Sequence, residues 1–310
     1  MRRIVLLLAM VGMALALSAT AAFAAIKIGT NNAETIVGTN SADHITGNEG
    51  NDFLDGRAGN DVYHFADWFG QDTLVEPKKV GALPGGTDTV SFAGVTTASR
   101  LSLIPQWRAQ DRNQASTFDG TYTHSVTLNA SIVEKVVGGS AGDIISTGAG
   151  SNTLKGGAGG SDRLSDYGGW NGGSPFVGLP ASNDTYKGFA AGPGFDVVED
   201  FGGTADILDL RPWESSDVYF DASSVDSSNP SNDSLIISAG DRGVYVYGHL
   251  APIPDLGHDE NSVMEKIIFA DETITSASRV RTLVKASPDA GNRTAVPRAL
   301  APQSPEDLLK

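Results

Sequence analysis

Residues 29–64 read GTNNAETIV, GTNSADHIT, GNEGNDFLD and GRAGNDVYH, four blocks of nine in unbroken register. Glycine opens each block, at Gly29, Gly38, Gly47 and Gly56. The sixth position is always acidic: Glu34, Asp43, Asp52 and Asp61. The eighth is always apolar or aromatic: Ile36, Ile45, Leu54 and Tyr63. A turn rich in Gly and Asn tolerates left-handed backbone, so each block predicts a turn followed by a short strand. Strand side chains alternate, so the eighth residue points inward. Two blocks make one coil, and acids 18 residues apart, such as Glu34 and Asp52, come to lie on neighbouring coils.

Stacked carboxylates repel unless a cation lies between them. Oxygen ligands on a flexible turn suit Ca²⁺ better than Mg²⁺, which demands tighter octahedral geometry. The sequence therefore predicts a solenoid that binds calcium at its turns.

These blocks resemble the glycine-rich nonapeptide repeats of hemolysin-type (RTX) calcium-binding proteins. That resemblance implies an all-β protein built on a parallel β-roll, with flanking β-rich segments. It also implies a calcium ion between stacked turns, held by sixth-position carboxylates and early-turn carbonyls. Carried over, Glu34 faces Asp52, with carbonyls from Thr30, Asn32, Gly47 and Glu49. Asp43 faces Asp61, with carbonyls from Thr39, Ser41, Gly56 and Ala58. Blocks one and two lack the family's second glycine, and Glu34 stands where Asp is usual.

Working outward, Phe65 to Leu74 resembles the irregular turn that closes such rolls, with Trp68 and Phe69 expected to cover the end of the coil stack. A weaker set of blocks follows: GGSAGDIIS from Gly138, TGAGSNTLK from Thr147 and GGAGGSDRL from Gly156. Asp143 holds a sixth position, Asn152 is neutral, and Asp162 is one residue out of register. A second, degenerate roll with one calcium site at most is expected there. Alternating patterns predict strands around 87–92, 125–128, 131–137 and 265–269. They also predict two strands about a Gly-rich turn in 194–210 and a hairpin over 234–247. Asp196, Asp200, Asp206 and Asp209 form a further candidate cation cluster, or the wet face of a strand.

Residues 1–24 carry a basic start at Arg2 and Arg3, an apolar run and Ala22-Phe23-Ala24, the pattern of a cleaved secretory signal. No second apolar stretch of spanning length follows, so no membrane span is expected after cleavage. The expected division is signal 1–24, first roll 25–78, β-rich connection 79–137, second roll 138–175, β-rich region 176–285 and a disordered Pro/Ala-rich tail 286–310.

Composition narrows the function. The 310 residues hold 37 Asp+Glu against 22 Lys+Arg, a net charge of −15, which argues against nucleic acid as a partner. With no Cys, disulfides, thiolate sites and Cys nucleophiles are excluded. Gly138-Gly139-Ser140-Ala141-Gly142 satisfies the G-x-S-x-G nucleophile motif, but that motif needs a strand before it and a helix after it, and Ser140 sits in a nonapeptide turn. No zinc-protease, P-loop, dinucleotide or EF-hand pattern appears. The sequence thus predicts a secreted, non-catalytic calcium-binding protein with a structural, surface or matrix role, its partners being calcium and extracellular polysaccharide or the cell surface. The alternative is an extracellular polysaccharide hydrolase or lyase stabilised by the repeats, since paired carboxylates can run glycoside hydrolysis.

Overall fold

The computed structural model describes residues 24–76, 79–80, 83–96, 99–102, 112–117, 125–129, 133–147, 150–166, 182–189, 194–200, 202–224, 233–246, 264–275, 279–280 and 282–283. Residues 1–23 of the expected signal and the expected C-terminal tail lie outside the described residues. Regular structure in the described part is almost entirely β-strand, arranged as two long sheets that face each other across a narrow core. No helix among the described residues is long and apolar enough to cross a membrane.

The chain winds between the sheets as the nonapeptide pattern dictates. Ile26–Ile28, His44–Thr46 and Val62–Ala66 stack in parallel in the first sheet. Thr35–Val37, Phe53–Asp55 and Gln71–Val75 stack in parallel in the second. The three-residue strands show why the eighth position is apolar. In Phe53–Asp55, Leu54 is fully buried while Phe53 is 40% exposed. Ile45 pairs with Tyr63, and Leu54 with Leu74, so each inward side chain lands on its equivalent in the next coil. Burying one such side chain contributes about 1.5–3 kcal/mol, which offsets the entropy of ordering a glycine-rich turn.

The first sheet continues without interruption through Thr89–Gly94, Lys135–Val137, Thr153–Lys155, Thr185–Lys187, Ile207–Asp209 and Lys266–Ile268, all parallel. An antiparallel strand, Thr273–Ile274, closes it. The segments on either side of residues 78 and 137 therefore share one ladder.

The second sheet is different. Between Gln71–Val75 and Ile144–Thr147 lies an antiparallel meander of Ser99–Ser102, Arg112–Thr117 and Ser125–Asn129. Its last strand returns to pair in parallel with Gln71–Val75. The same device recurs after Gly194–Asp200, where Tyr219–Ser224, Asp233–Ala239 and Arg242–Val246 form a meander whose last strand pairs in parallel with Gly194–Asp200. Each meander splays the second sheet by two strands that have no counterpart in the first.

The aromatic end-cap expectation is corrected here. The coil stack does not end at residue 74, so there is no end to cover. Phe69 is 2% exposed and packs edge-on to Phe65 and Phe92 in the core. Trp68 is 70% exposed, on a left-handed turn residue.

Candidate metal centre

The sixth-position acids form two columns, one on each side of the roll. On the side leading into the second sheet, the Glu34 amide donates to Asp52 Oδ1 at 2.8 Å and the Asp52 amide to Asp72 Oδ1 at 2.8 Å. On the other side, the Asp43 amide donates to Asp61 Oδ1 at 2.7 Å, Asp61 to Asp88 Oδ1 at 2.8 Å, and Asp88 to Glu134 Oε2 at 2.8 Å. One carboxylate oxygen thus holds the next coil in register, and the other is left for the turn.

That second oxygen is where a cation fits. Asp52, Asp61 and Asp72 are at most 2% exposed, and their Oδ2 atoms have no hydrogen-bond partner among the described residues. A buried carboxylate oxygen without a partner carries a desolvation cost of a few kcal/mol that a bound cation removes. The opening glycines complete the cradle. A Cβ on Gly38 would lie 2.6 Å from the Gly56 carbonyl oxygen and 2.7 Å from Asp43 Oδ2. On Gly29 it would lie 2.5 Å from the Gly47 carbonyl oxygen and 2.6 Å from Glu34 Oε2. Main-chain and carboxylate oxygens therefore converge on one small space that only glycine leaves open. Carboxylates and carbonyls at a flexible turn are the donor set of Ca²⁺, and these residues fit it.

The predicted ligands divide. Gly47 and Gly56 turn their carbonyls to the cradle, beside Glu34 and Asp43. Thr39 closes its turn by donating its amide to Asp43 Oδ2. Thr30 does the same for Glu34, amide to Oε2 at 2.6 Å and hydroxyl to Oε1 at 2.8 Å, so both Glu34 oxygens are engaged locally. The carbonyls of Asn32 and Ser41 lie against Gly50 and Gly59 of the overlying coil. Glu49 accepts from the Asn31 side chain at 3.0 Å, and Ala58 is buried. Asp143 takes its column position: its Oδ2 accepts the Gly139 amide at 2.6 Å and its own amide donates to Asp162 Oδ1 at 2.8 Å.

Asp72, Asp88, Glu134, Asp184 and Glu265 escaped the sequence analysis, and the places of Asp162, Asp196 and Asp206 in the columns were not foreseen. Asp162 falls in register despite the inserted residue, and its amide donates to Asp196 Oδ1. The Asn152 amide donates to Asp184 Oδ1 at 2.6 Å, the Asp184 amide to Asp206 Oδ1 at 2.7 Å, and the Asp206 amide to Glu265 Oε2 at 2.7 Å. The only sequence signal was an acid within two residues after Gly or Asn, just before a short alternating strand, as in Gly85-Gly86-Thr87-Asp88 and Asn183-Asp184. Inserted segments break the nine-residue spacing that made the first blocks legible.

The group Asp196, Asp200, Asp206 and Asp209 converges only in part: Asp200 and Asp206 offer oxygens within 4.8 Å of one another, together with Asp184, and the other two stand apart. Asp196 belongs to one column and Asp206 to the other, while Asp209 is ion-paired with Arg211 at 2.6 Å. Ser140 lies in a turn followed directly by the strand Ile144–Thr147, and its amide donates to the Val95 carbonyl at 3.1 Å. It has no nucleophile-elbow context.

Burial sets the electrostatics of the columns. It pushes Asp61 and Asp72 each up to about 7, with neighbouring column acids adding to the rise. Burial likewise raises Asp88 and Asp196 to about 6 and Asp162 to about 8. Without a cation, Asp162 keeps its proton at neutral pH, Asp61 and Asp72 titrate there, and Asp88 and Asp196 titrate just below it.

Residues 28–63 and 137–160 match the RTX calcium-binding nonapeptide repeat, in four copies. No curated protein matches the chain. The matched segments cover the first coils and the start of the second set of blocks, while the acid columns run on beyond them to Asp196 and Asp206.

Proposed function

We propose that this protein of RTX calcium-binding nonapeptide repeats is a secreted, non-catalytic scaffold whose roll is completed by calcium. The carrying observation is the set of buried Oδ2 atoms without partners, those of Asp52 and Asp72 on successive coils of one column and that of Asp61 in the other. Cation binding discharges their repulsion and ties successive turns together, so binding and folding are coupled. Extracellular modules of this kind bind calcium with Kd of about 10⁻⁴–10⁻³ M, matched to calcium outside the cell. The secretory pattern of residues 1–24 supports that location.

The test is circular dichroism of residues 25–310 during Ca²⁺ and Mg²⁺ titrations. A saturable gain in β signal with Ca²⁺ alone is expected, and Asp52→Ala with Asp61→Ala should abolish the part that arises from the first coils. An unchanged calcium response in that double variant would falsify the assignment.

A further inference from the structure

The two meanders are not the only feature that repeats. In both places a tyrosine occupies the inward position of the first-sheet strand: Tyr63 in Val62–Ala66 and Tyr186 in Thr185–Lys187. Each follows an Asn-Asp pair, Asn60-Asp61 and Asn183-Asp184. Each is followed by a second-sheet strand with Asp at an equivalent place, Asp72 and Asp196. Then comes Gly-Gly-Thr, at 85–87 and 202–204, leading to Asp88 and Asp206. Glu-Lys follows later, at Glu134-Lys135 and Glu265-Lys266.

Hydrogen bonds repeat as well. Asp61 donates its amide to Asp88 as Asp184 does to Asp206. Asp88 donates to Glu134 as Asp206 does to Glu265. Thr87 donates to the Asn60 side chain as Thr204 does to Asn183, both at 2.9 Å. The roll is two copies of one unit.

Each unit brings three carboxylates together at its branch point, beside the second-sheet strand that the meander joins. Asp61, Glu76 and Asp88 offer oxygens all within 4.8 Å of one another, and so do Asp184, Asp200 and Asp206. Glu76 stands two residues beyond inward Leu74, and Asp200 two beyond inward Val198. That is the register of the opening glycine Gly56, two beyond Leu54. A side-chain carboxylate thus enters where the nonapeptide pattern offers only a main-chain oxygen. In each unit the tyrosine hydroxyl donates to this extra acid, Tyr63 to Glu76 and Tyr186 to Asp200 Oδ2 at 3.0 Å.

Acids in a cluster do not by themselves make a site. Here each cluster also contains a buried carboxylate oxygen without a hydrogen-bond partner, Asp61 Oδ2 in one, which shares the space at Gly56 with Glu76 Oε1, and Asp206 Oδ2 in the other. Ligand oxygens around one Ca²⁺, at about 2.4 Å from it, lie no more than about 4.8 Å apart. The clusters meet that limit.

We infer that Asp61–Glu76–Asp88 and Asp184–Asp200–Asp206 are two equivalent internal calcium sites, which clamp the branch points of the roll and use a carboxylate that the repeat pattern lacks. The inference rests on the reading that the roll binds calcium. Each tyrosine orients the extra carboxylate and does not ligate. Asp166 borders the second site and accepts from Ser182 at 3.3 Å.

The experiment is calorimetric calcium titration of residues 25–310, comparing wild type with Glu76→Gln, Asp200→Asn and, as a repeat-turn control, Asp52→Asn. Each of the first two variants should lose one equivalent of calcium or show at least a tenfold weaker class of site. Tyr63→Phe and Tyr186→Phe keep every ligand and should keep the wild-type stoichiometry, while lowering tyrosine-sensitised emission from bound Tb³⁺. These two readouts remain informative if a charge-removing variant folds poorly. Wild-type stoichiometry and affinity in Glu76→Gln and Asp200→Asn, with loss only in Asp52→Asn, overturns the inference and leaves the calcium reading standing. A wild-type protein that takes up no calcium overturns both.

Discussion

At the scale of the residue, glycine does two separate jobs in this protein. The opening glycines leave room for converging oxygens, as at Gly38. Others supply a left-handed backbone at the turn. Gly59 does both: its φ is +136°, and a Cβ there would come within 2.6 Å of the Ser41 carbonyl oxygen. Gly150 has φ +102° with open space around it. Gly150→Ala should therefore cost only the conformational penalty, about 1–2 kcal/mol. Gly59→Ala should cost more, because a neighbouring coil must also move. Denaturant midpoints of the two variants in saturating calcium give the comparison, and equal losses would contradict the contact argument.

At the scale of the element, each strand of a coil is too short to be stable alone. Three residues contribute one inward side chain, and stability comes from stacking that side chain on its equivalents. Leu54 sits between Ile36 and Leu74 in the second sheet and is fully buried. Leu54→Ala should cost about 2–5 kcal/mol in the calcium-loaded protein. Its outward neighbour Phe53 is 40% exposed. Phe53→Ala should stay within about 0.5 kcal/mol, as surface substitutions usually do. Urea unfolding of both variants checks the inward–outward assignment; a costly Phe53→Ala beside a neutral Leu54→Ala would reverse the register.

Element logic also explains what was hidden in the sequence. Asp143 was legible because GGSAGDIIS keeps the nine-residue frame. Asp162 was displaced by one residue, yet its turn absorbs the insertion and the following strand Arg163–Asp166 still pairs in register with Ile144–Thr147. A turn can lengthen without moving the strands it joins. Spacing along the chain is then no guide to which acids share a column.

At the scale of the whole molecule, the acid columns couple stability to pH. Burial raises Asp88 to about 6, Asp61 and Asp72 to about 7, Asp162 to about 8 and Glu76 to about 9. Each folded value lies above the unfolded one, so the metal-free roll binds protons more tightly than the unfolded chain. That contribution is fully present below about pH 4 and is lost as pH rises through about 6 to 9. The urea midpoint of calcium-free protein should fall between pH 5 and pH 9. Saturating calcium should remove most of that slope, because the ion replaces the protons. A midpoint that rises with pH in the absence of calcium would contradict the burial of these groups.

The coil is legible in the residues alone: the nine-residue period, the inward apolar position, the acid at each turn and calcium as the matching ion. Those features are local, because turn chemistry and strand alternation act within a few residues and repeat identically. The identity of each acid's partner across the stack, the continuity of the first sheet through residues 76–137 and the recurrence of the meander were decided only by the tertiary structure. So was the meeting of Glu76 with Asp61 and Asp88, and of Asp200 with Asp184 and Asp206. Insertions of unequal length lie between those residues along the chain. Parallel strand pairing cancels that difference in space, since the backbone ladder aligns strands whatever the length of the turn between them.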